Sequence, residues 1–288
     1  MSSALTFIVP VRHQSNARDW SELKRNLAQT LASLAAQTTP SWRAIVVANH
    51  GAELPPLPRN VEVKRVDFPP NLLHERGAAE QEAFYEAVRL DKGRRILAGM
   101  LHAGPTGYFM VVDDDDFVSR RLAEFVSTHH GRNGWAIKDG YIWPNGGRML
   151  YRHPNFSRFC GSSHIVRADL YDLPARFEDA DESFVKRMLG SHVFIEEHLR
   201  VSGTPLAVLP FPGAIYRVGH AGAHSRSRGL LRTFFLTKRN VRNPARLVAE
   251  ALRLRILGSR VRREFFGTQL PSTSSGSADA QRPSPSSG

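Results

Sequence analysis

Apolar residues dominate positions 5–11 (Leu-Thr-Phe-Ile-Val-Pro-Val) without polar alternation, the pattern of a strand covered on both faces. Leu23, Leu27, Leu31 and Leu34 recur at helical spacing and predict an amphipathic helix over 20–37. Residues 43–48 (Arg-Ala-Ile-Val-Val-Ala) form a second apolar run, and 61–66 a third that alternates and ends at Asp67. Beyond a proline-containing loop, residues 79–102 carry a helical pattern, expected as two pieces broken near Gly93. A fourth apolar run, Tyr108-Phe109-Met110-Val111-Val112, leads straight into Asp113, Asp114, Asp115 and Asp116. Strand, helix, strand, strand, helix, strand in this order predicts a mainly parallel α/β sheet with helices on its faces. Ligands of such sheets sit beyond the carboxyl ends of the strands. Those ends are 11–13, 49–51, Asp67 and 113–116.

The aspartate run changes the picture most. A buried strand delivers several carboxylates to one spot, where they repel one another unless a cation neutralises them. Hard divalent cations take oxygen ligands, and Mg²⁺ often sits between one or two carboxylates and substrate phosphates. The alternative is a solvated acidic turn before a helix capped by Ser119. The buried strand in front of the run favours metal and phosphate.

The 288 residues, 41% hydrophobic, suffice for one full core, or a domain plus an appendage. No stretch approaches the roughly 20 apolar residues that span a bilayer. The first residues run directly into a strand with no basic lead-in, so no signal peptide is expected. A single cysteine, Cys160, excludes an intramolecular disulfide and a Cys-based zinc cluster, and suits a cytoplasmic setting. The formal charge of +12 is concentrated, because residues 226–264 hold twelve Arg and Lys against two acids. Polybasic segments bind nucleic acid or the anionic face of a membrane. Residues 268–288, rich in Ser, Pro and Gly, are expected to be disordered.

Several segments, taken in order, resemble a family 2-type glycosyltransferase of the GT-A fold. They are Pro10 closing the first strand, Leu31-Ala32-Ser33-Leu34-Ala35-Ala36-Gln37 ending the helix, and Trp42-Arg43-Ala44-Ile45-Val46-Val47. Lys92-Gly93-Arg94-Arg95 before the aspartate strand, and that strand with its Asp-x-Asp-Asp, complete the set. The resemblance covers about residues 6–216. It implies a Rossmann-like, mainly parallel sheet flanked by helices, with a small antiparallel sheet on the acceptor side. With the basic segment added, the expected organisation is a catalytic domain over 1–225, a basic helical extension over 226–267 and a tail over 268–288.

The implied reaction is metal-dependent, inverting transfer of a sugar from a nucleotide-diphosphate sugar to a glycan or lipid-linked acceptor. Its setting would be surface polysaccharide or glycoconjugate synthesis. By the same resemblance, Pro10, Val11, Arg12, Asn49, Asp67, Arg95, Asp113 and Asp114 contact the donor. Ala48-Asn49-His50-Gly51 departs from the family's Asp-rich turn. Asp67 is equally suited to ending its loop, and Arg95 to an ordinary place on a helix surface. Asp113 and Asp115 form the DxD pair that holds Mn²⁺ or Mg²⁺, with His224 or His220 closing the site.

The family's base is an acid at the start of a helix that leads to a glycine, a strand and a Tyr-Arg. Here that run is Val201-Ser202-Gly203, residues 206–210 and Tyr216-Arg217, which places Ser191-His192 where the acids belong. His192 and Asp181 are the candidates on equal terms, since histidine titrates near working pH. Asp179 and Glu182 serve if the register slips, and Glu196 and Glu197 stand further off. Phe159-Cys160-Gly161-Ser162-Ser163, followed by 164–166, resembles the segment beneath the donor sugar. Trp135, Tyr141 and Trp143, with Tyr151 and Phe156, either offer faces to an acceptor sugar or pack a small sheet.

Over 244–263, Leu247, Val248, Leu252 and Ile256 mingle with arginines on an expected helix, with Arg255 and Arg262 near its apolar face. Such a helix makes peripheral contact with the inner leaflet or lies solvated on the catalytic domain. Nucleic acid is not the expected partner. Two other readings remain. A nucleotidylyltransferase shares the sheet and the carboxylates but wants a glycine-rich loop after its first strand, and residues 12–16 hold no glycine. A basic membrane or nucleic-acid adaptor on an inactive enzyme fold would rest on the C-terminal charge alone.

Overall fold

A computed structural model describes residues 3–73, 81–104, 107–219 and 244–267. The apolar runs form β1 (Leu5–Pro10), β2 (Trp42–Asn49), β3 (Val61–Val66) and β4 (Tyr108–Val111), parallel in the order β3-β2-β1-β4. The same sheet continues through β9 (His164–Arg167), its antiparallel strand, to β6 (Gly134–Ala136) and β10 (Ala207–Val208). The mainly parallel α/β sheet expected from the sequence is the one observed.

Helices cover both faces. α1 (Trp20–Ala35) starts at Asp19, whose carboxylate accepts the Glu22 backbone N–H at 2.9 Å and satisfies an otherwise orphaned donor. Its leucines 23, 27, 31 and 34 join Leu5, Phe7 and Val9 of β1 in one core. α2 (Gln81–Ala103) closes the opposite face against Ile8, Ile45 and Val47. It is one helix, without the expected break at Gly93. That glycine is a packing residue, since a Cβ there would stand 2.3 Å from the Val185 carbonyl oxygen. At Gly99 a Cβ would come within 2.8 Å of Val47 and 2.9 Å of Ile8, so α2 can lie this close only with hydrogen at both positions.

A second sheet has the order β12-β8-β7-β11-β5, from β5 (Phe117–Val118), β7 (Gly140–Pro144), β8 (Met149–His153), β11 (Ala214–Val218) and β12 (Leu254–Ile256). Its pairs are antiparallel except β7 with β11. The expected acceptor aromatics pack here or in the main core. Trp135 lies 5.2 Å from Tyr108 and 5.3 Å from Phe125, centroid to centroid. Trp143, 1% exposed, is enclosed by Phe117 and Phe266. Tyr141, half-buried, meets Phe265 edge-on. Phe156 is fully buried above Gly140, and Tyr151 is buried with its hydroxyl on Glu250. Large rings at these positions complete cores, and so Trp135 and Trp143 present no face to a sugar.

The remaining short elements are α3 (Leu122–Thr128), α4 (Glu182–Phe184), α5 (His192–Val201), α6 (Pro244–Ala251) and α7 (Ser259–Phe265). The helix expected over 244–263 is instead α6, β12 and α7. Strand β12 pairs with the edge of β8, Phe265 and Phe266 bury beside Phe117, and Glu264 bonds Arg121 at 2.8 Å. This part of the expected extension therefore completes the second sheet. Residues 226–243 and 268–288 lie outside the described residues. Among the described residues, no helix is long and apolar enough to cross a membrane.

Candidate active site

The carboxyl ends of β1 and β4 open on a cleft of about 240 Å³. Pro10 and Arg12 border it from β1, Asp113, Asp114 and Asp115 from β4, and Lys92 and Arg95 from α2. Tyr216 and Arg217 of β11 form its remaining wall together with Gly190. The sheet topology thus brings together strand ends that are far apart in sequence.

The four aspartates divide by direction. Asp116 turns inward and is fully buried, where its carboxylate accepts from Ser162 Oγ at 2.6 Å, Cys160 Sγ at 3.2 Å and the Arg217 backbone N–H at 3.2 Å. Burial, and then the charges of Asp115 and Asp113, push its pKa well above the usual carboxylate range. Ser162 Oγ also accepts the Asp113 backbone N–H at 2.9 Å, which pins the start of the run. Asp113, Asp114 and Asp115 are the three that reach the cleft. Asp113 is held by Lys92, whose Nζ lies 2.5 Å from Oδ1.

Arg217 braces the loop from behind. Its guanidinium donates to Gln29 Oε1 at 2.6 Å and to Asn26, and stands over the rings of Phe117 and Trp143. Burial lowers its pKa to about 10.

Two expected donor residues bind each other instead. Arg95, 1% exposed, donates to Asn49 Oδ1 at 2.7 Å and to both oxygens of Asp91 at 2.9–3.2 Å, with its guanidinium over Phe68. Asn49 Nδ2 in turn donates to the Phe68 carbonyl at 2.6 Å. The pair fastens the loop after β3 to α2; Arg95 also borders the cleft, and Asn49 is not among the residues that line it. Val11 is fully buried, and its backbone N–H is taken by the Val47 carbonyl. Asp67 is exposed and lies outside the cleft lining. Of the expected donor residues, Pro10, Arg12, Arg95, Asp113 and Asp114 line the cleft.

The two base candidates part company. Asp181 is exposed and caps α4, accepting the Phe184 backbone N–H at 2.9 Å, away from the cleft. His192, the first residue of α5, borders a smaller cavity of about 30 Å³ with Lys92, Gly161, His164 and Ser191. Its Nε2 is buried and has no hydrogen-bond partner. Burial, followed by the charges of Lys92 and His164, lowers its pKa to about 4, so the ring is neutral at working pH. Glu196 is held down to about 2 by its hydrogen bond with His164 and then by Lys138. Glu197, Asp179 and Glu182 are tied to Arg200, Arg176 and Lys186. His220 and His224 lie outside the described residues. Among the described residues, no group of three or more His, Cys, Asp or Glu is placed to hold a metal alone.

Sequence reasoning quoted Lys92 only as part of a motif, although its spacing of three from Arg95 puts both on one face of α2. It used Cys160 and Ser162 as landmarks without seeing that they receive Asp116.

No family model and no curated protein sequence matches the chain. Among solved structures, S. aureus TarS 1–349 is similar at 15% identity and a TM-score of 0.43, over 75% of this chain and 60% of that one. S. aureus TarS in its longer form gives 15% and 0.43 over 76% of this chain and 37% of that one. An active-site mutant of LgtC gives 10% and 0.32 over 90% and 99%. The chain therefore spans less than two thirds of either TarS structure. Likeness at this level assigns no activity.

Proposed function

We propose that the protein transfers a sugar from a nucleotide-diphosphate sugar to a hydroxyl of a glycan or lipid-linked acceptor. One observation carries the reading. Asp113, Asp114 and Asp115 share a cleft with Arg12 and Lys92 at the carboxyl ends of parallel strands, where a diphosphate and a hard cation both find their groups. Asp115, with Asp113 beside it, fits a Mn²⁺ or Mg²⁺ ion, because two carboxylates and the diphosphate oxygens are enough for such an ion. Bound there, the ion supplies Lewis-acid stabilisation of the departing diphosphate.

The chain's own groups do the rest. Arg12 and Lys92 add positive charge beside the leaving group, in a site where such preorganised charge is worth more than in water. His192, whose unpartnered Nε2 lines the adjoining small cavity, is the candidate to take the proton of the attacking hydroxyl once an acceptor opens that cavity to the cleft. The hydroxyl oxygen bonds to the anomeric carbon from the face opposite the diphosphate. The electron pair of the broken bond leaves with the diphosphate, and the anomeric centre inverts.

A cytoplasmic enzyme working at the inner membrane face suits the C-terminal region. Val248, Leu252 and Ile256 are exposed there beside Arg253 and Arg255, a mixture that favours an anionic lipid surface. Flotation on anionic liposomes of wild type and of a variant with Val248, Leu252 and Ile256 each changed to Ser checks this contact, and equal flotation removes it. The reaction itself is checked by nucleoside-diphosphate release from UDP-, GDP- and dTDP-sugars, with Mn²⁺ and with EDTA. Release from one donor establishes the class, and no binding or turnover of any donor by folded protein sinks it.

A further inference from the structure

Lys92 stands at the junction of two spaces. It borders both the donor cleft, where it pairs with Asp113, and the smaller cavity lined by His192. Gly161 leaves room for the pair, since a Cβ there would come 2.8 Å from Asp113 Oδ2 and 3.0 Å from Lys92 Nζ. The ammonium therefore sits against the first cleft carboxylate, in the place where a divalent cation would meet it. Its neighbour Arg95 is locked by Asp91 and Asn49 and cannot exchange partners without breaking a buried cluster. Lys92 is different in kind, being a point charge on a flexible stem that borders the cleft.

A nucleotide diphosphate entering this cleft brings more negative charge than one carboxylate. We propose that Lys92 is a donor-site residue with two partners in turn. It holds Asp113 while the cleft is empty, then shifts to the diphosphate, so that Asp113 becomes available to the divalent cation. The inference rests on the sugar-transfer reading and adds to it an order of events. Cation and nucleotide then bind with positive coupling, which is reciprocal by linkage. The lysine also keeps a bare cation from settling on Asp113 before the donor arrives.

The test is binding, not turnover. Mn²⁺ binding to the full chain is followed by the electron paramagnetic resonance signal of the free ion, alone and with UDP, GDP or dTDP. Nucleotide binding in EDTA is followed by calorimetry. Wild type is expected to bind Mn²⁺ about tenfold more tightly with its nucleoside diphosphate than without. Lys92→Met is expected to bind Mn²⁺ alone about tenfold more tightly than wild type, to lose most of the coupling, and to bind the nucleotide in EDTA about tenfold more weakly. Lys92→Arg, which keeps the charge, should hold the nucleotide in EDTA. Lys92→Gln repeats the comparison if the methionine variant does not fold. Equal Mn²⁺ affinity in wild type and the uncharged variants overturns the proposal, as does wild type whose Mn²⁺ binding ignores the nucleotide. A protein that binds nucleotide with no effect of Lys92 loses only this inference. A folded protein that binds no nucleotide in either condition loses the sugar-transfer reading as well.

Discussion

Two charged clusters lie one turn apart on α2 and have opposite characters. Arg95 is buried, and its partners Asp91 and Asn49 close around it. Lys92 meets a single carboxylate, Asp113, and borders two cavities. The aspartate run repeats the contrast, with Asp116 turned inward onto three donors while Asp113, Asp114 and Asp115 face the cleft. Charged residues on one helix or one loop thus divide into those that face the interior and those that border the cleft. What separates them is where tertiary placement points them.

The largest expected effect comes from breaking the closed cluster. Arg95→Met leaves the half-buried Asp91 without its cation and the buried Asn49 Oδ1 without its donor, losses that together cost about 3 kcal/mol. Urea unfolding should show a loss of that size. If stability holds and nucleotide binding disappears, the cluster is a donor site and the contrast fails. The next effect lies on the open side, where Asp115→Asn should reduce nucleoside-diphosphate release about 100-fold with an unchanged melting temperature. Asp116→Ala should do the reverse in kind, costing about 2 kcal/mol by stranding three donors that point at one buried carboxylate.

This contrast also marks how far the sequence was legible. β1, β2 and β4 are continuous apolar runs, and a strand covered on both faces can hardly read otherwise. The end of such a strand followed by aspartates is where the sequence puts a candidate site, and a cleft opens there. Asn49 and Arg95 read as donor residues because each sits at a strand end or just before one. Nothing local reveals that they point at each other across 46 positions. Trp135 and Trp143 lie among glycines and prolines, which resembles an exposed loop, yet short strands bury both, β6 in the main sheet and β7 in the second. The arginine-rich stretch over 244–263 hid a three-residue strand, because β12 gains its stability from the open edge of β8 and not from its own pattern. Pairing partners that come from far along the chain are what a single sequence withholds.

The seating of α2 places both clusters and can be perturbed without touching either. Gly93→Ala puts a methyl 2.3 Å from the Val185 carbonyl oxygen, and backbone on the far side cannot swing away. Overpacking of this kind costs about 1–3 kcal/mol. The rise of α2 should also loosen the Lys92 to Asp113 pair, so Mn²⁺ affinity and stability should change together. A variant as stable as wild type would show that α2 has slack, and that the clusters differ for reasons other than its fixed height.

The smallest effect concerns His192, which shares the open cluster's second cavity yet buries its Nε2. Its pKa is lowered to about 4, chiefly by burial, from the ordinary value near 6.5. Between those values the unfolded chain binds the proton and the folded chain does not, so stability rises with pH through this window and is lost as pH falls. From pH 7 to pH 5.5 the ring should contribute a loss of about 1 kcal/mol. His13 and His153 are also lowered by burial and add to the slope of the whole protein. The useful quantity is therefore the difference between wild type and His192→Gln, measured by urea unfolding at both pH values. That difference should shrink at pH 5.5, because only wild type loses the contribution of this ring. If it stays constant, the imidazole is hydrated enough to titrate normally, and the small cavity belongs with the open cleft and not with the core.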